Sequence, residues 1–398
     1  MPGVTKHIYE RDLQDINKMW NTQLKNISGV LPCNYCDLDI INALKKYYPH
    51  EWDSVVYKKQ YYDKKDKYIA RHKGAKRYHM PEPEALIKRN NQYKLLMKKE
   101  YREKYAETFC VGRYENQKAL LWKKREPKIR RVDDKINAAI SRTQKVTPDF
   151  LDALIGLYNR KNTSQKDRMY IMTELKKYYN PVVIDFFFKC NDTEINRQLR
   201  ENAFYHLQSF NYQPRLRKQK YMEIHTKNKK RKDYLRKVYP YETYEIPFNP
   251  EELEYRINEG REQHIKTYKY FISHSSTDAS TVKKLIDYEN KQNILVFCDW
   301  INDADYLKRH LVCEATLNVI EWRLEQSEEV IFVRSEKSED SIWCQYELNY
   351  FYELGKPIYY IEKEDIENGI FRFEPYDKNR FYNEHYKELA LIEGLKES

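Results

Sequence analysis

The residues best suited to chemistry lie in the last third of the chain. In Ser341-Ile-Trp343-Cys-Gln-Tyr-Glu347-Leu an aromatic ring and a carboxylate stand four residues apart, a spacing that stacks them on one face of a helix. An aromatic plane beside a carboxylate suits a ribosyl ligand whose leaving group is an aromatic cation. A preorganised anion can then stabilise positive charge developing on the sugar. Three polar loops are candidates to complete such a site: His274-Ser275-Ser276, Asp299-Trp300-Ile301-Asn302-Asp303, and the stretch from Arg334 to Asp340. Cys344, between the aromatic and the acid, is expected to pack as a small hydrophobe rather than act as a nucleophile. A separate Cys33-x-x-Cys36 pair invites a zinc reading with His50, His72, His79 or Cys110. Structural zinc needs four ligands and no second close pair exists, so a turn without metal is expected and no metal ligands are assigned.

The elements that must position these loops alternate. Short apolar runs at 268–273, 294–298, 330–333 and 358–362 read as strands, and amphipathic stretches at 279–290, 306–326 and 340–354 read as helices between them. Strands that are continuous apolar runs, separated by helices, predict a parallel sheet covered on both faces. In such a sheet ligands bind outside the carboxyl ends of the strands, which is where all three loops fall.

The rest of the chain has a different composition. Residues 261–398 hold 18 Lys and Arg against 27 Asp and Glu, whereas residues 1–260 hold 54 against 34. Four segments follow: a basic, Tyr-rich helical region 1–130, a helical region 131–215, a basic and Pro-containing linker 216–264, and the α/β region 265–398. Periodicity predicts helices over 37–48 and 83–105, and helices between 148 and 209 whose pairing resembles HEAT repeats. Lys and Tyr interleave at 57–79 and 227–239, a pattern compatible with nucleic-acid contact; a Lys- and Tyr-rich solvated surface explains it equally, and no RNA- or DNA-binding signature appears. Seven scattered cysteines, no long apolar run and no leader-like start predict a cytoplasmic protein without disulfides.

FISHSS at 271–276, VFCDWIND at 296–303 and SxWCxxEL at 341–348 together resemble a bacterial Toll/interleukin-1 receptor (TIR) domain. The likeness spans about 265–395 and implies a flavodoxin-like α/β fold behind a mainly α-helical, basic N-terminal region. It implies an NAD+ glycohydrolase of antiphage defence, with NAD+ as substrate and no cofactor. The Glu of the WxxxE motif falls on Glu347 as the catalytic carboxylate, and its Trp on Trp343, expected to shape the nicotinamide-riboside pocket. Phe271, His274, Ser275, Ser276, Asp299 and Trp300 fall on substrate-binding positions, with the mobile BB loop at about 299–306. For Ser275, Ser276 and Asp299, capping of loops and helix ends is an alternative role. The first loop carries no Arg, unlike some relatives, which leaves only hydroxyls and His274 there. The resemblance also implies homo-oligomerisation through TIR–TIR contacts, with a trigger, a phage protein or nucleic acid, acting on residues 1–260. Two alternatives stay open: a cyclase making a cyclic ADP-ribose signal for a separate effector, and a non-enzymatic adaptor.

Overall fold

A computed structural model describes residues 4–212, 224, 226–308 and 311–377. The chain falls into two compact units: residues up to Ala139 together with Phe187–Tyr241, and Ile140–Phe186 together with residues from Glu242 onward. The linker expected at 216–264 and the end of the 265–398 region lie partly outside the described residues. Among the described residues no helix is long and apolar enough to cross a membrane.

The first unit is helical. Helices Val4–Ile27, Asp37–Tyr47 and Pro49–Lys73 bury Trp20, Leu24, Ile40, Leu44, Trp52 and Val55. The expected helix at 83–105 is instead three, Pro83–Arg89, Asn91–Leu96 and Lys99–Glu107. The first break is set by buried Asn90, whose side chain accepts from Gln92 N at 2.8 Å and donates to Asn17. The Gly74-containing basic loop is organised around buried Asp66. Its carboxylate accepts the backbone N–H groups of Arg77, Tyr78 and His79 at 2.8–2.9 Å. Burial pushes that carboxyl up, and the three amides outweigh it and hold it below its usual range. Helices Leu151–Asn159 and Gln165–Leu175 pack on one another, within the stretch expected to hold HEAT-like pairs. The apolar helix Pro181–Thr193 contributes residues to both units, Phe186 packing on Tyr158 in one, Phe187 on His206 and Phe188 on Tyr61 in the other.

The second unit contains a five-stranded sheet of order β2-β1-β3-β4-β5, with β1 Tyr268–Ser273, β2 Val296–Phe297, β3 Ser327–Arg334, β4 Ile358–Glu362 and β5 Glu374–Pro375. The four expected strands are there and parallel, and β5 adds a short antiparallel edge on β4 that periodicity did not signal. Helices pack against the sheet on both faces. Helix Ala279–Lys291 covers one, burying Val282, Leu285 and Ile286 against Ile272, Val296, Ile331, Val333 and Ile361. Helix Ile342–Glu353 packs on β1, β3 and β4 and on helix Glu314–Glu325. The helix expected at 306–326 is shorter, because the chain after β2 first makes a single turn at Asp299–Asn302.

Residues 140–186 and 242–264 are integral to this unit. The Gln144 side chain donates to Val296 O at 2.6 Å and accepts from Val296 N at 3.3 Å, closing the exposed edge of β2. Helix Pro250–Glu259, within the stretch expected as a linker, buries Leu253 and Ile257 against Tyr306 and Val319. Between these pieces lies a buried charge network. Glu174 accepts from Lys177 and Lys266, both at 2.9 Å, and Asp303 accepts from Arg323 at 2.7 Å and Lys177 at 3.4 Å. Gln263 bridges the halves, donating to Glu174 and accepting from Arg323. Burial alone would raise both carboxyls, yet the surrounding cations hold them below their ordinary range.

Candidate active site

The chain leaves β1 for one face of the sheet and β3 for the other, so the carboxyl ends of these neighbouring strands flank a switch-point crevice. β1 delivers Ser273 and the loop from His274 to Asp278. β2 delivers Cys298 and the turn from Asp299. Helix Ile342–Glu353 begins near the same edge, with Ser341 as its N-cap, accepting from Cys344 N at 3.4 Å.

Two turns into that helix, Glu347 meets the end of β1. The Ser273 hydroxyl donates to Glu347 Oε2 at 2.6 Å. Burial pushes the Glu347 carboxyl up to about 8, the Ser273 hydroxyl works against that rise, and the Asp299 charge adds to it. Glu347 forms no salt bridge shorter than 4.0 Å among the described residues. A carboxyl at a strand-end crevice, desolvated and held by one neutral donor, can stabilise a cation brought to it or take up a proton near neutral pH.

The other expected residues separate into groups. His274 is nearly buried, its Nδ1 3.0 Å from Ile272 O and its Nε2 3.9 Å from Asp299 Oδ1. Asp299 is 57% exposed. Ser275 lies 3.0 Å from the Thr277 hydroxyl and caps the short turn Ser276–Asp278, and Ser276 is exposed. Phe271 does not reach the crevice. It is buried and stacked on Phe297 at 5.0 Å, because the residue two before Ser273 on the same strand face lies deeper in the core. Trp300 packs half-buried against the core beside Ile301, and its indole N–H has no acceptor among the described residues. Trp343 shares the Glu347 helix face but packs with Ile342 against Leu317 and Tyr346. Cys344 is buried, its thiol pushed up to about 12 by burial foremost and by the Glu347 charge, which suits packing and not nucleophilic attack.

Sequence reasoning missed Ser273. The only signal was that β1 ends on a polar residue inside an otherwise apolar run, and the period of two puts it on the face shared by Phe271. It also missed that His274, Cys298 and Asp299 bring three potential metal-ligand atoms within 4.8 Å of one another. Cys33 and Cys36 gain no third ligand among the described residues; Cys36 instead caps helix Asp37–Tyr47, its backbone N–H donating to Asp39 at 2.8 Å.

Comparison with known proteins fits this geometry. The family model for the TIR-like domain of the Thoeris protein ThsB matches residues 271–368, a span that holds Ser273, the crevice loops and Glu347. A protein of Cytobacillus dafuensis named as a putative cyclic ADP-D-ribose synthase TIR2 is 35% identical over 374 residues, covering 93% of this chain and 94% of its own. A protein of Bacillus cereus (strain MSX-D12) named as a probable 3′ cyclic ADP-D-ribose synthase ThsB′ is 35% identical over 86 residues, 22% of this chain and 44% of its own. No solved structure matches the chain. With its C-terminal motifs on a flavodoxin-like sheet and a relative matched almost end to end, the chain belongs to the Thoeris ThsB-type family of TIR proteins.

Proposed function

We propose that the protein consumes NAD+, breaking the nicotinamide–ribose bond beside Glu347 and closing the ADP-ribose fragment into a cyclic product. That product would be a signal for a separate effector in antiphage defence. The observation that carries the reading is Glu347 itself: a buried carboxyl at the switch-point crevice, held by Ser273 and pushed up to about 8. Ordinary glycosidases need a second carboxyl to protonate the leaving group. Nicotinamide leaves NAD+ as a neutral molecule, taking the electron pair of the breaking bond, so one carboxylate is enough to stabilise the oxocarbenium ion. An internal nucleophile of the ADP-ribose fragment then captures that cation in place of water. Where the nucleophile is a hydroxyl, Glu347 is positioned to accept its proton. A cyclic product is favoured over simple hydrolysis because both relatives are named as cyclic ADP-D-ribose synthases.

Incubation of the full chain with NAD+, with products identified by mass, tests this. The expected product is one water lighter than ADP-ribose and is absent with Glu347→Gln. ADP-ribose alone would return the reading to a glycohydrolase, and NAD+ left intact once the trigger is supplied would favour an adaptor. Self-association through TIR–TIR contacts and a trigger acting on residues 1–260 belong to the same proposal. A salt-dependent shift with generic RNA or DNA would test the nucleic-acid variant of that trigger.

A further inference from the structure

The ends of β1 and β2 hold an imidazole, a thiol and a carboxylate whose nearest ligand atoms lie within 4.8 Å of one another. His274 Nδ1 sits 3.0 Å from the Ile272 carbonyl. A nitrogen this close to a carbonyl oxygen carries a hydrogen, so Nδ1 is the donor and Nε2 is the nitrogen turned toward Asp299. That nitrogen and the carboxylate oxygen are 3.9 Å apart, too far for a hydrogen bond. Cys298 Sγ lies 4.0 Å from the same oxygen. The imidazole and the thiol thus converge on one carboxylate oxygen from the ends of two neighbouring strands.

The dimensions suit a metal ion. Bonds of about 2.0–2.3 Å to N, O and S put the ligand atoms of a tetrahedral site roughly 3.3–3.6 Å apart. The two distances to Asp299 Oδ1, 3.9 and 4.0 Å, exceed that by roughly 0.5 Å, and the exposed Asp299 side chain is free to close them. A backbone carbonyl holding the far nitrogen is the arrangement that orients a ligating imidazole. Burial foremost, and then the Asp299 charge, push the Cys298 thiol well above its ordinary range, so ligation has to displace its proton. One sulfur, one imidazole and one carboxylate select a borderline-soft divalent ion over Mg2+ or Ca2+, which take oxygen ligands.

We propose that His274, Cys298 and Asp299 form a three-ligand site for Zn2+ or a similar transition-metal ion at the mouth of the crevice. Its fourth position is open to water. The metal–sulfur bond forms as the thiol proton leaves to solvent. Ligands come from the ends of both β1 and β2, so an occupied site ties the two loops together.

The site can be read with Co2+, which reports thiolate and tetrahedral ligation in its absorption. The full chain carrying Cys33→Ser and Cys36→Ser, which removes the competing pair, is titrated with Co2+ alone. The expected result is a thiolate-to-cobalt charge-transfer band saturating at one ion per chain and displaced by Zn2+. Cys298→Ser should abolish that band. Asp299→Asn, at an exposed carboxylate where folding is not at stake, should weaken binding at least about tenfold. Absence of the band, or its persistence unweakened in either variant, overturns the assignment. The inference does not depend on the catalytic reading: Glu347→Gln should keep the band, whatever it does to NAD+.

Discussion

The second unit buries acids in two ways. Glu174 and Asp303 sit among Lys177, Lys266 and Arg323, and those cations hold their carboxyls below the usual range despite burial. Glu347 has a single hydroxyl, and its carboxyl rises to about 8. An acid that serves the fold is compensated by the protein itself. On the proposed function, Glu347 is an acid left for the substrate to compensate, at a cost in stability. Burial alone does not mark a site: Glu289, in helix Ala279–Lys291, is also pushed up, to about 7, by burial. Its place is the last turn of that helix, whereas Glu347 meets the carboxyl end of β1.

The comparison breaks most sharply at Glu347. Glu347→Gln should lower NAD+ cleavage by about 10²–10³ or more while leaving the circular dichroism spectrum unchanged. It should also raise stability. The native carboxyl binds its proton more tightly than the unfolded one, so stability falls as pH rises from about 4.5 to about 8, and that loss is removed with the acid. Melts at pH 8 should show a gain on the order of 2–3 kcal/mol, vanishing toward pH 4.

In the paired network the sign reverses. Arg323→Met leaves Asp303 and its neighbours uncompensated and should cost about 3–5 kcal/mol in urea unfolding. Ser273→Ala removes the one donor that lowers the Glu347 carboxyl. Activity near pH 7.5 should fall about tenfold, with recovery at higher pH where a mispositioned acid would show none. Glu289→Gln should have the smallest effect, unchanged NAD+ cleavage with a gain of about 1–2 kcal/mol at pH 8. Loss of activity there would show that the two acids had been told apart wrongly.

Much of this was legible in the sequence where periodicity is local. β1 and β4 begin and end where their apolar runs do, and the WxxxE spacing places Glu347 one turn beyond Trp343 on a helix. What stayed hidden depends on distant partners. No local pattern says that Gln144 closes the edge of β2 across 152 residues, or that Glu174 is paired with Lys266. The break in the 83–105 helical stretch depends on Asn90 finding Asn17. Ser273 looked like the end of a strand until the Glu347 helix was placed against it.

The most direct test is the pH dependence of kcat/KM for NAD+ cleavage by the full chain. The free enzyme must lose the Glu347 proton to present an anion to the developing cation. The rate should therefore rise with pH and level off with an apparent pKa near 8, moving upward in Ser273→Ala and not in Glu289→Gln. A profile flat from pH 6 to 9, or one unmoved by Ser273→Ala, would contradict the assignment of Glu347 as the acid left for the substrate.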